Sequence, residues 1–400
     1  MKIVIVTGWF SEQMGYSESC LAKALASKGH EVDVVTSTAN VYCDELYYDD
    51  IYEPFLGPRY LKPKTYKVDG YTVHRLPIII RWKRIHIFKN LIKTIRSIKP
   101  DVVQCYEPTS MITLIVALAR PFLRYKLFTA IHTVASVYPA YFNYSKFNFL
   151  QKLRLRVLDT LPGKIISMFT TISYGATVDA SEIGAKFFGI PIHKIKTDPL
   201  GVDTQSFTPI YSSKIFIQER NELRNKYKIK PEDILCIYTG RFTEGKNPLI
   251  LAQAIDLLSQ KGFKFKALFI GTGNQISKIK KYRNCIVRPF VLYNQLPKYY
   301  RMAEIGVWPK QESTSMIDAA ASGIPIVVSS KVQATERVEN NGLTYIENNV
   351  QDLALQLSKL SDEKVRNRYG SNGRKKMKKH FSWNSIAQKR IIDYSVQIKD

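Results

Sequence analysis

The chain has 400 residues, more than one ordinary hydrophobic core supports, so two domains or three are expected. Glycine and proline number only 20 and 18, which excludes collagen-like and low-complexity chains. Lysine and arginine together number 59 against 34 acidic residues, a net charge of +25. A surplus this large indicates an anionic partner, and composition leaves nucleic acid, a phosphate-rich substrate and an acidic membrane surface as alternatives.

The cysteines and the apolar segments favour a reducing, cytoplasmic location. The five cysteines are an odd number and form no C-x-x-C pair, so no disulfide framework or zinc site is expected. The apolar run at the amino terminus covers about four residues, too few for a signal peptide, and predicts a buried strand. The longest apolar stretch, 111–119, is far shorter than the roughly 20 residues that span a bilayer.

Short β-branched runs alternate with helical patterns in the first half of the chain. A helix is predicted at 17–30, where Gly29 ends it. An irregular, tyrosine-rich insertion at 41–70 interrupts the alternation. The predicted strands are 2–7, 31–37, 101–106, 126–132 and 167–173, and the segment 194–203 closes this half.

The second half repeats the pattern. An amphipathic helix is predicted at 247–262, and a helix at 381–398 with Ser382 as its cap ends the chain. The predicted strands are 233–240, 266–273, 284–290, 305–310 and 324–330. Alternation of this kind is typical of parallel sheets covered by helices, so we predict two Rossmann-like α/β domains with a cleft between them.

Ligands of open parallel sheets bind beyond the carboxyl ends of the strands, where helix amino termini attract phosphate. Gly15 precedes the first helix and would let backbone N–H groups approach an anion, although no G-x-G-x-x-G fingerprint is present. His132 ends a predicted strand of the same half. The alternatives are a flexible loop at Gly15 and a purely structural role for His132.

Two loops of the second half carry charged side chains before a helix. Arg241 and Lys246 flank a turn and could clamp a diphosphate, the arginine in bidentate fashion and the lysine as a point charge. Glu312 and Asp318 bracket the start of an alanine-rich helix, where carboxylates suit the recognition of hydroxyl groups. The alternatives are solvated surface cations and acids that complement a helix dipole.

Over nearly its whole length the chain resembles a family-4 retaining glycosyltransferase of the GT-B fold. The resembling segments include LAKALASKGHEVDVVTS, IKPDVVQCYEP, TAIHT, YTGRFTEGKNPLIL, FIGTGN, DAAASGIPIVVSS and the terminal FSW helix. The most specific elements are G-V-D-x-x-x-F at 201–207 and G-R-x-x-x-x-K at 240–246. The resemblance implies an acceptor domain at 1–204, a donor domain at 205–380 and a terminal helix, 381–400, that returns to the first domain.

The resemblance also implies roles for single residues. Arg241 and Lys246 match the basic pair that holds the donor diphosphate, and Gly15 matches the glycine loop that contacts the donor phosphates. His132 matches a histidine near the reacting centre. Asp318 matches the second acid of an acid–seven residues–acid motif, usually a glutamate, which binds the ribose hydroxyls. The donor loop that precedes it comprises Glu312, Ser313, Thr314 and Ser315.

The first acid of that motif departs from the family pattern. Lys310 stands eight positions before Asp318, where the family has a glutamate, and Glu312 stands only six before it. Either the loop is two residues shorter and Glu312 takes the role, which we favour, or the motif is degenerate. A catalytically silent GT-B scaffold, a nucleotide-sugar epimerase and a glycan phosphorylase are the alternatives to transfer.

The expected reaction moves a sugar from a UDP- or GDP-linked donor to an acceptor hydroxyl with retention of configuration. The chain has no D-x-D motif, so cations of the protein rather than a metal are expected to neutralise the diphosphate. The basic and aromatic stretches 81–99, which includes Trp82, Ile85, Phe88 and Leu91, and 141–158 are predicted as helices at an anionic membrane surface. They would serve a lipid-linked or cell-envelope acceptor, in polysaccharide, lipopolysaccharide or glycolipid synthesis.

If these stretches bind a membrane, the protein is expected at a peripheral position on its inner face. The alternative is that they are ordinary half-buried helices with cationic outer faces. A nucleic-acid partner is not expected, because no helix-turn-helix, zinc or RNA-recognition pattern occurs in the chain. The sugar, the base, the linkage and the oligomeric state are left open by the sequence.

Overall fold

A computed structural model describes residues 1–82 and 85–399, and their side chains except at 82 and 397–399. The chain forms two compact units: Met1–Leu200 with Trp383–Asp400, called unit 1, and Gly201–Ser382, called unit 2. The sequence-predicted limits at 204/205 and 380/381 lie four and two residues from these boundaries.

Unit 1 is built on a mostly parallel sheet. Its strands are β1 (Lys2–Val6), β2 (Glu31–Ser37), β3 (Lys64–Val68), β4 (Tyr71–Leu76), β5 (Ile78–Trp82), β6 (Ile85–Phe88), β7 (Val102–Tyr106), β8 (Lys126–Ile131), β9 (Thr170–Gly175) and β10 (Ile195–Thr197). In the described residues, eight strands form one sheet in the order β10-β9-β8-β7-β1-β2-β4-β3, with β3 antiparallel to β4. The central strand β1 is almost wholly apolar and buried from residue 3 to residue 6, as expected for a strand covered on both faces.

Helices connect these strands. They are α1 (Ser17–Ala26), α2 (Tyr48–Ile51), α3 (Glu53–Leu56), α4 (Leu91–Ile98), α5 (Met111–Leu123), α6 (Ala140–Asn143), α7 (Phe149–Leu155), α8 (Leu161–Phe169) and α9 (Val178–Lys186). Leu21 and Leu25 of α1 lie in the core cluster that also contains Ile3 and Ile5. The helical pattern predicted at 17–30 is therefore confirmed, although α1 ends before Gly29.

Several sequence predictions in unit 1 are wrong. The stretch 81–99 is not one helix: within its described residues, the end of β5 and all of β6 belong to an antiparallel strand pair, and only α4 is helical. Lys83 and Arg84 of that stretch lie outside the described residues. In β6, half-buried and buried side chains alternate with the period of two that marks a strand, and the mixed charges concealed this period. The stretch 141–158 is broken into α6, a short 3-10 turn, α7 and part of a π-helical segment.

Two further segments differ from the prediction. The insertion 41–70 is only partly irregular, since it contains α2, α3 and β3. The strand predicted at 167–173 begins three residues later, at Thr170, because residues 167–169 end α8.

Unit 2 contains a second parallel sheet. Its strands are β11 (Ile234–Thr239), β12 (Phe265–Ile270), β13 (Cys285–Arg288), β14 (Ile305–Trp308), β15 (Ile326–Ser329) and β16 (Gly342–Tyr345), in the order β13-β12-β11-β14-β15-β16. Its helices are α10 (Lys214–Lys226), α11 (Leu249–Gln260), α12 (Ile276–Ile279), α13 (Leu296–Met302), α14 (Ser315–Ala321), α15 (Val350–Lys359) and α16 (Glu363–Lys376). The order reverses direction between β11 and β14, so the loops after these two strands flank the switch point where such sheets bind ligands.

The last helix, α17 (Trp383–Lys399), belongs to unit 1. Its Arg390 donates a 2.8 Å hydrogen bond from Nε to Asp198 Oδ2, and Tyr394 donates one of 2.9 Å to Gln104 Oε1. Both contacts are buried within unit 1. The predicted fold class, two Rossmann-like α/β units with parallel sheets, is confirmed. No described helix combines the length and the apolarity needed to cross a bilayer.

Candidate active site

The main chain of the loop after β11 is held in place by two hydrogen bonds and one close contact. Phe242 N–H donates a 2.8 Å hydrogen bond to Thr272 O, and the Tyr238 hydroxyl donates one of 2.8 Å to Arg241 O. Gly271, with φ of 148°, lies so close that a Cβ on it would be 1.9 Å from Gly240 O. Only glycine fits there, and this close approach fixes the main chain of Arg241 at the carboxyl end of β11.

Lys246 lies at the other end of the same loop and reaches the loop after β14. Its Nζ donates a 2.7 Å hydrogen bond to the main-chain carbonyl of Glu312. The pKa of Lys246 is lowered to about 8, mainly by burial; the Glu312 carboxylate opposes this decrease, and the cations of Arg241 and Arg337 add to it. Three cations thus lie near one buried carboxylate, and an anion with more than one charge would find favourable partners there.

Glu312 is buried, with 9% of its surface exposed. Its Oε1 accepts a 3.0 Å hydrogen bond from Gln333 N–H, whereas its Oε2 is buried with no hydrogen-bond partner among the described residues. A buried carboxylate oxygen left in this way is costly unless a ligand supplies a donor. The side chain of Lys310, the residue at the position of the family's first acid, has a different partner: its Nζ donates a 3.4 Å hydrogen bond to Glu244 O.

Arg337 is a member of this cluster that the sequence analysis missed. The residue is 3% exposed, and its Nη1 donates a 3.3 Å hydrogen bond to Ser313 O. It lies in a short 3-10 turn, 335–337, that follows β15. No motif marked it, because the sequence around it is an ordinary charged loop and the contact depends on the order of the strands.

Asp318 lies on α14 and is 4% exposed. Burial raises the pKa of Asp318 well above its usual range, and the Asp203 carboxylate adds to the increase, while a long 3.5 Å hydrogen bond from the Tyr293 hydroxyl opposes it. The first turn of α14 follows Thr314, and Ser313 Oγ accepts a 3.3 Å hydrogen bond from Ser315 N–H. The structure thus places Arg241, Lys246 and Glu312 in one cluster with Arg337, and Asp318 beside Tyr293.

Unit 1 contains a cavity of about 270 Å³ at the carboxyl ends of β1 and β7 and beside the residue that follows β8. The residues that line it are Val6, Thr7, Gly8, Trp9, Glu18, His86, Tyr106, Glu107, Thr109, Ser110, Ile112 and His132. Of these, only His132 was a candidate from the sequence. The others come from the ends of β1 and β7 and the loops that follow them, from the starts of α1 and α5, and from β6.

Two carboxyl groups and a pair of aromatic rings in the lining are the groups that could contact a ligand. Burial raises the pKa of Glu18, and the Ser17 hydroxyl, which donates to it at 3.1 Å, opposes the increase. Glu107 has a left-handed φ of 61°, which is uncommon for a residue other than glycine. The rings of Trp9 and His86 lie 4.8 Å apart. Carboxylates together with an exposed aromatic face are suited to a polyhydroxylated ligand.

The two candidates of unit 1 occupy different positions around the cavity. His132 lines it, and its ring packs edge-on against Tyr106 at a centroid distance of 5.0 Å. Gly15 follows a short 3-10 helix, 12–14, with φ of 64°, and turns the chain into α1. Its left-handed conformation is one that glycine adopts at little cost. No group of three or more histidine, cysteine or acidic side chains in the described residues could hold a metal ion.

Two family models match the chain. The model described as "Glycosyl transferases group 1" matches residues 219–376, within unit 2. The model described as "Glycosyltransferase Family 4" matches residues 20–206, which correspond to most of unit 1. The two matches do not overlap, and together they cover the greater part of the chain.

Known proteins with similar sequences include spore coat protein SA of Bacillus subtilis, 24% identical over 222 residues, or 50% of this chain. The capsular polysaccharide biosynthesis glycosyltransferase CapM of Staphylococcus aureus is 25% identical over 228 residues, or 52% of this chain. The chain spans only 58% and 60% of the lengths of these two relatives.

Among solved structures, Anabaena HepE in complex with UDP superposes with a TM-score of 0.70 at 16% identity, covering 99% of this chain and 100% of that one. At such identity the likeness shows the fold, which is the GT-B fold expected from the sequence.

Proposed function

The chain belongs to the group 1 and family 4 glycosyltransferases of the GT-B fold, and from this premise we propose that it transfers a sugar from a nucleotide-diphosphate donor to an acceptor hydroxyl. The observation that carries the proposal is the cation cluster of Arg241, Lys246 and Arg337 beside the buried Glu312. A diphosphate is the part of the donor that such a cluster would bind. The UDP in the HepE structure supports a nucleotide ligand of this kind.

The cluster would act on the leaving group. As the bond between the sugar and the diphosphate breaks, negative charge develops on the departing phosphate, and fixed cations at that point lower the barrier. A new bond forms between the sugar carbon and the acceptor oxygen, whose proton passes to the departing phosphate. Attack on the same face as the leaving group would retain the configuration, so no side chain is assigned as nucleophile. In this reaction the protein's own cations would neutralise the charge on the departing phosphate.

The remaining parts of the donor and the acceptor are assigned by side-chain chemistry. Asp318 would accept hydrogen bonds from the ribose hydroxyls, and the carboxylate of Glu312 would bind hydroxyls of the transferred hexose. Gly15 would contact the donor phosphates through its backbone. The cavity beside His132 would take the acceptor, with His132 close to the reacting atoms. UDP- and GDP-linked sugars are both compatible with these assignments.

The acceptor would be a lipid-linked or cell-envelope glycan, in polysaccharide, lipopolysaccharide or glycolipid synthesis. CapM, by its name, acts in capsular polysaccharide biosynthesis, which supports this class. The excess of 25 positive charges would favour a peripheral position at the anionic inner face of a membrane.

A thermal-shift screen of UDP- and GDP-sugars, followed by NMR of the product formed with envelope-glycan acceptors, tests the proposal. We expect stabilisation by one nucleotide series and a product whose anomeric configuration matches that of the donor. If the donor binds but is neither transferred nor hydrolysed, the result would support a catalytically silent scaffold instead. An epimerised donor would identify an epimerase, and inversion would contradict the proposed mechanism.

A further inference from the structure

A broken helix of unit 1 presents large apolar side chains to solvent. It runs from α7 through the π-helical segment 156–160 into α8. Exposed apolar residues are usually scattered singly over a protein surface, but here they follow one another along a single helix. We call this set the apolar face; its members are 44% to 76% exposed and comprise Phe149, Leu150, Leu153, Val157, Leu161 and Met168.

The π-helical segment keeps these residues on one side. Phe149, Leu153, Val157 and Leu161 follow at steps of four, and such steps drift by about 40° each around an α-helix. A π-helical turn contains more residues than an α-helical turn, so it removes part of this drift. The apolar side chains therefore form a stripe instead of winding around the helix.

The opposite side of the helix is anchored to unit 1. Leu155 packs against the core cluster that contains Ile183 and Phe187. Gly163 lies so close to the neighbouring chain that a Cβ on it would be 2.0 Å from Phe188 O. Asn148 caps α7 through a reciprocal pair of 2.9 Å hydrogen bonds with Gln151. These contacts fix the side of the helix that faces unit 1, and the apolar face lies on the other side.

Cations surround the apolar face. Segment 141–169 contains five basic residues, Lys146, Lys152, Arg154, Arg156 and Lys164, and one acidic residue, Asp159. Asp159 is buried and accepts a 3.2 Å hydrogen bond from the Tyr138 hydroxyl, so the outer surface of the helix is positive. An apolar stripe with basic neighbours matches an anionic bilayer, whose acyl region takes the stripe and whose phosphates meet the cations. A second copy of this face would bring like charges together.

We propose that the apolar face docks the protein on an anionic lipid bilayer. This inference deepens the proposed function, on which it rests for its purpose, by naming the element that meets the membrane. Seven residues link His132, at the cavity, to α6 at the start of this region. Eight backbone steps span at most about 28 Å. The apolar face and the acceptor cavity both belong to unit 1, so docking here would hold the unit that contains the cavity at the bilayer, where a lipid-linked acceptor would be available.

Flotation with vesicles tests the docking separately from catalysis. The full chain is mixed with phosphatidylcholine vesicles, with or without phosphatidylglycerol, at low and high salt. The variants are Phe149→Glu and Leu150→Glu in the apolar face and Lys152→Glu among its cations. The matched control is Ile215→Glu, since Ile215 is an equally exposed apolar residue, 73%, on α10 of unit 2.

We expect the wild-type protein and the Ile215→Glu control to float with the anionic vesicles at low salt. Each apolar-face variant should reduce the partition constant about tenfold or more, because a side chain of this size no longer leaves water. Lys152→Glu should reduce it at low salt and have less effect at high salt.

The proposal is overturned if the wild-type protein does not float, if the control and the apolar-face variants float equally, or if light scattering shows that the face instead joins two copies. Transfer to a water-soluble acceptor is measured on the same samples. Flotation without transfer would contradict the proposed function and leave the docking intact, whereas transfer without flotation would contradict the docking.

Discussion

The ammonium group of Lys246 donates a 2.7 Å hydrogen bond to the main-chain carbonyl of Glu312, which joins the loop after β11 to the loop after β14. Because this partner is a neutral carbonyl, the hydrogen bond orients the ammonium group without cancelling its charge. Burial is the main cause of the lowered pKa of Lys246; the guanidinium groups of Arg241 and Arg337 add to the decrease, and the Glu312 carboxylate opposes it. The cluster is thus arranged to receive an anion.

Removing one cation from the cluster should impair transfer without unfolding the protein. We expect Arg241→Ala and Lys246→Ala to lower kcat/KM for the donor by about 100-fold each, the usual size of a lost charge contact to a leaving group. Initial rates with varied donor measure this effect. Lys310→Ala is the control, since Lys310 is a cation of the neighbouring loop that donates to Glu244 O instead. Equal losses in all three variants would exclude a specific cluster.

Transfer should weaken at alkaline pH. The pKa of Lys246 is lowered to about 8, so in the free protein its ammonium charge is present below that pH and lost as the pH rises through it. We expect kcat/KM for the donor to fall above pH 8, by up to about tenfold per pH unit. The profile of kcat should be flatter, because bound diphosphate raises the pKa of the ammonium group again.

Lys246→Arg is the matched variant for the pH profile. A guanidinium keeps its charge throughout this range, so the alkaline decline of kcat/KM should disappear even if the maximum rate is lower. An unchanged decline in Lys246→Arg would assign it to another group.

Glu312, rather than Lys310, should act as the first acid of the motif. Its Oε2 is buried without a hydrogen-bond partner in the described part of the chain, so a sugar hydroxyl would gain a strong acceptor there. We expect Glu312→Gln to lower kcat/KM about 10- to 100-fold, and Lys310→Glu to leave it within about threefold. Steady-state kinetics on both variants decide whether position 312 or position 310 has the role of the first acid. A gain of activity in Lys310→Glu, with no loss in Glu312→Gln, would show that the motif is degenerate.

The sequence was sufficient to predict the parallel strands and the loops that follow them. Arg241, Lys246 and Glu312 could be found because each lies beside a glycine turn or a helix start, where local patterns are strongest. Arg337 could not, since its contact with Ser313 depends on the neighbouring positions of β14 and β15. The same holds for Glu18 and Glu107, which different strands and helices bring to one cavity.

The errors of prediction have a physical cause as well. Strand β6 and the end of β5 lie in the stretch 81–99, which was predicted as helix because cations interrupt its alternation of apolar residues. One of these cations, Arg81, forms an ion pair with Asp44, 37 residues earlier in the chain. Contacts of this kind lie between residues far apart in the sequence, so a local pattern of charges and apolar residues does not reveal them. The π-helical segment at 156–160 likewise has no local sequence signal; it immediately precedes α8, whose Gly163 lies close to Phe188 O.

The buried carboxylate of Asp318 should make the folded protein less stable when it is ionised, although it contributes to donor binding. Burial raises its pKa above the value in the unfolded chain, so its contribution to stability is full below the unfolded pKa, near 3.9, and is lost as the pH rises through the folded pKa. Asp318→Asn is neutral at every pH. We expect a higher Tm than the wild type at pH 8, a smaller difference at pH 5, and a KM for the donor about tenfold higher.

Thermal denaturation at the two pH values and donor kinetics measure these effects of Asp318→Asn. A donor analogue with 2′-deoxyribose should lose less affinity in the variant than in the wild type, because the contact is already weakened. A lower Tm that does not depend on pH, with KM unchanged, would make Asp318 a structural residue.

The most direct test of the account is calorimetric binding of UDP, GDP and their nucleosides to the wild type and to Lys246→Ala. If the cluster binds a diphosphate, the preferred nucleoside diphosphate should bind at least about 100-fold more tightly than its nucleoside. In Lys246→Ala this ratio should fall by about tenfold or more while nucleoside binding is unchanged. Equal affinities for nucleoside and nucleoside diphosphate in the wild type would contradict the account.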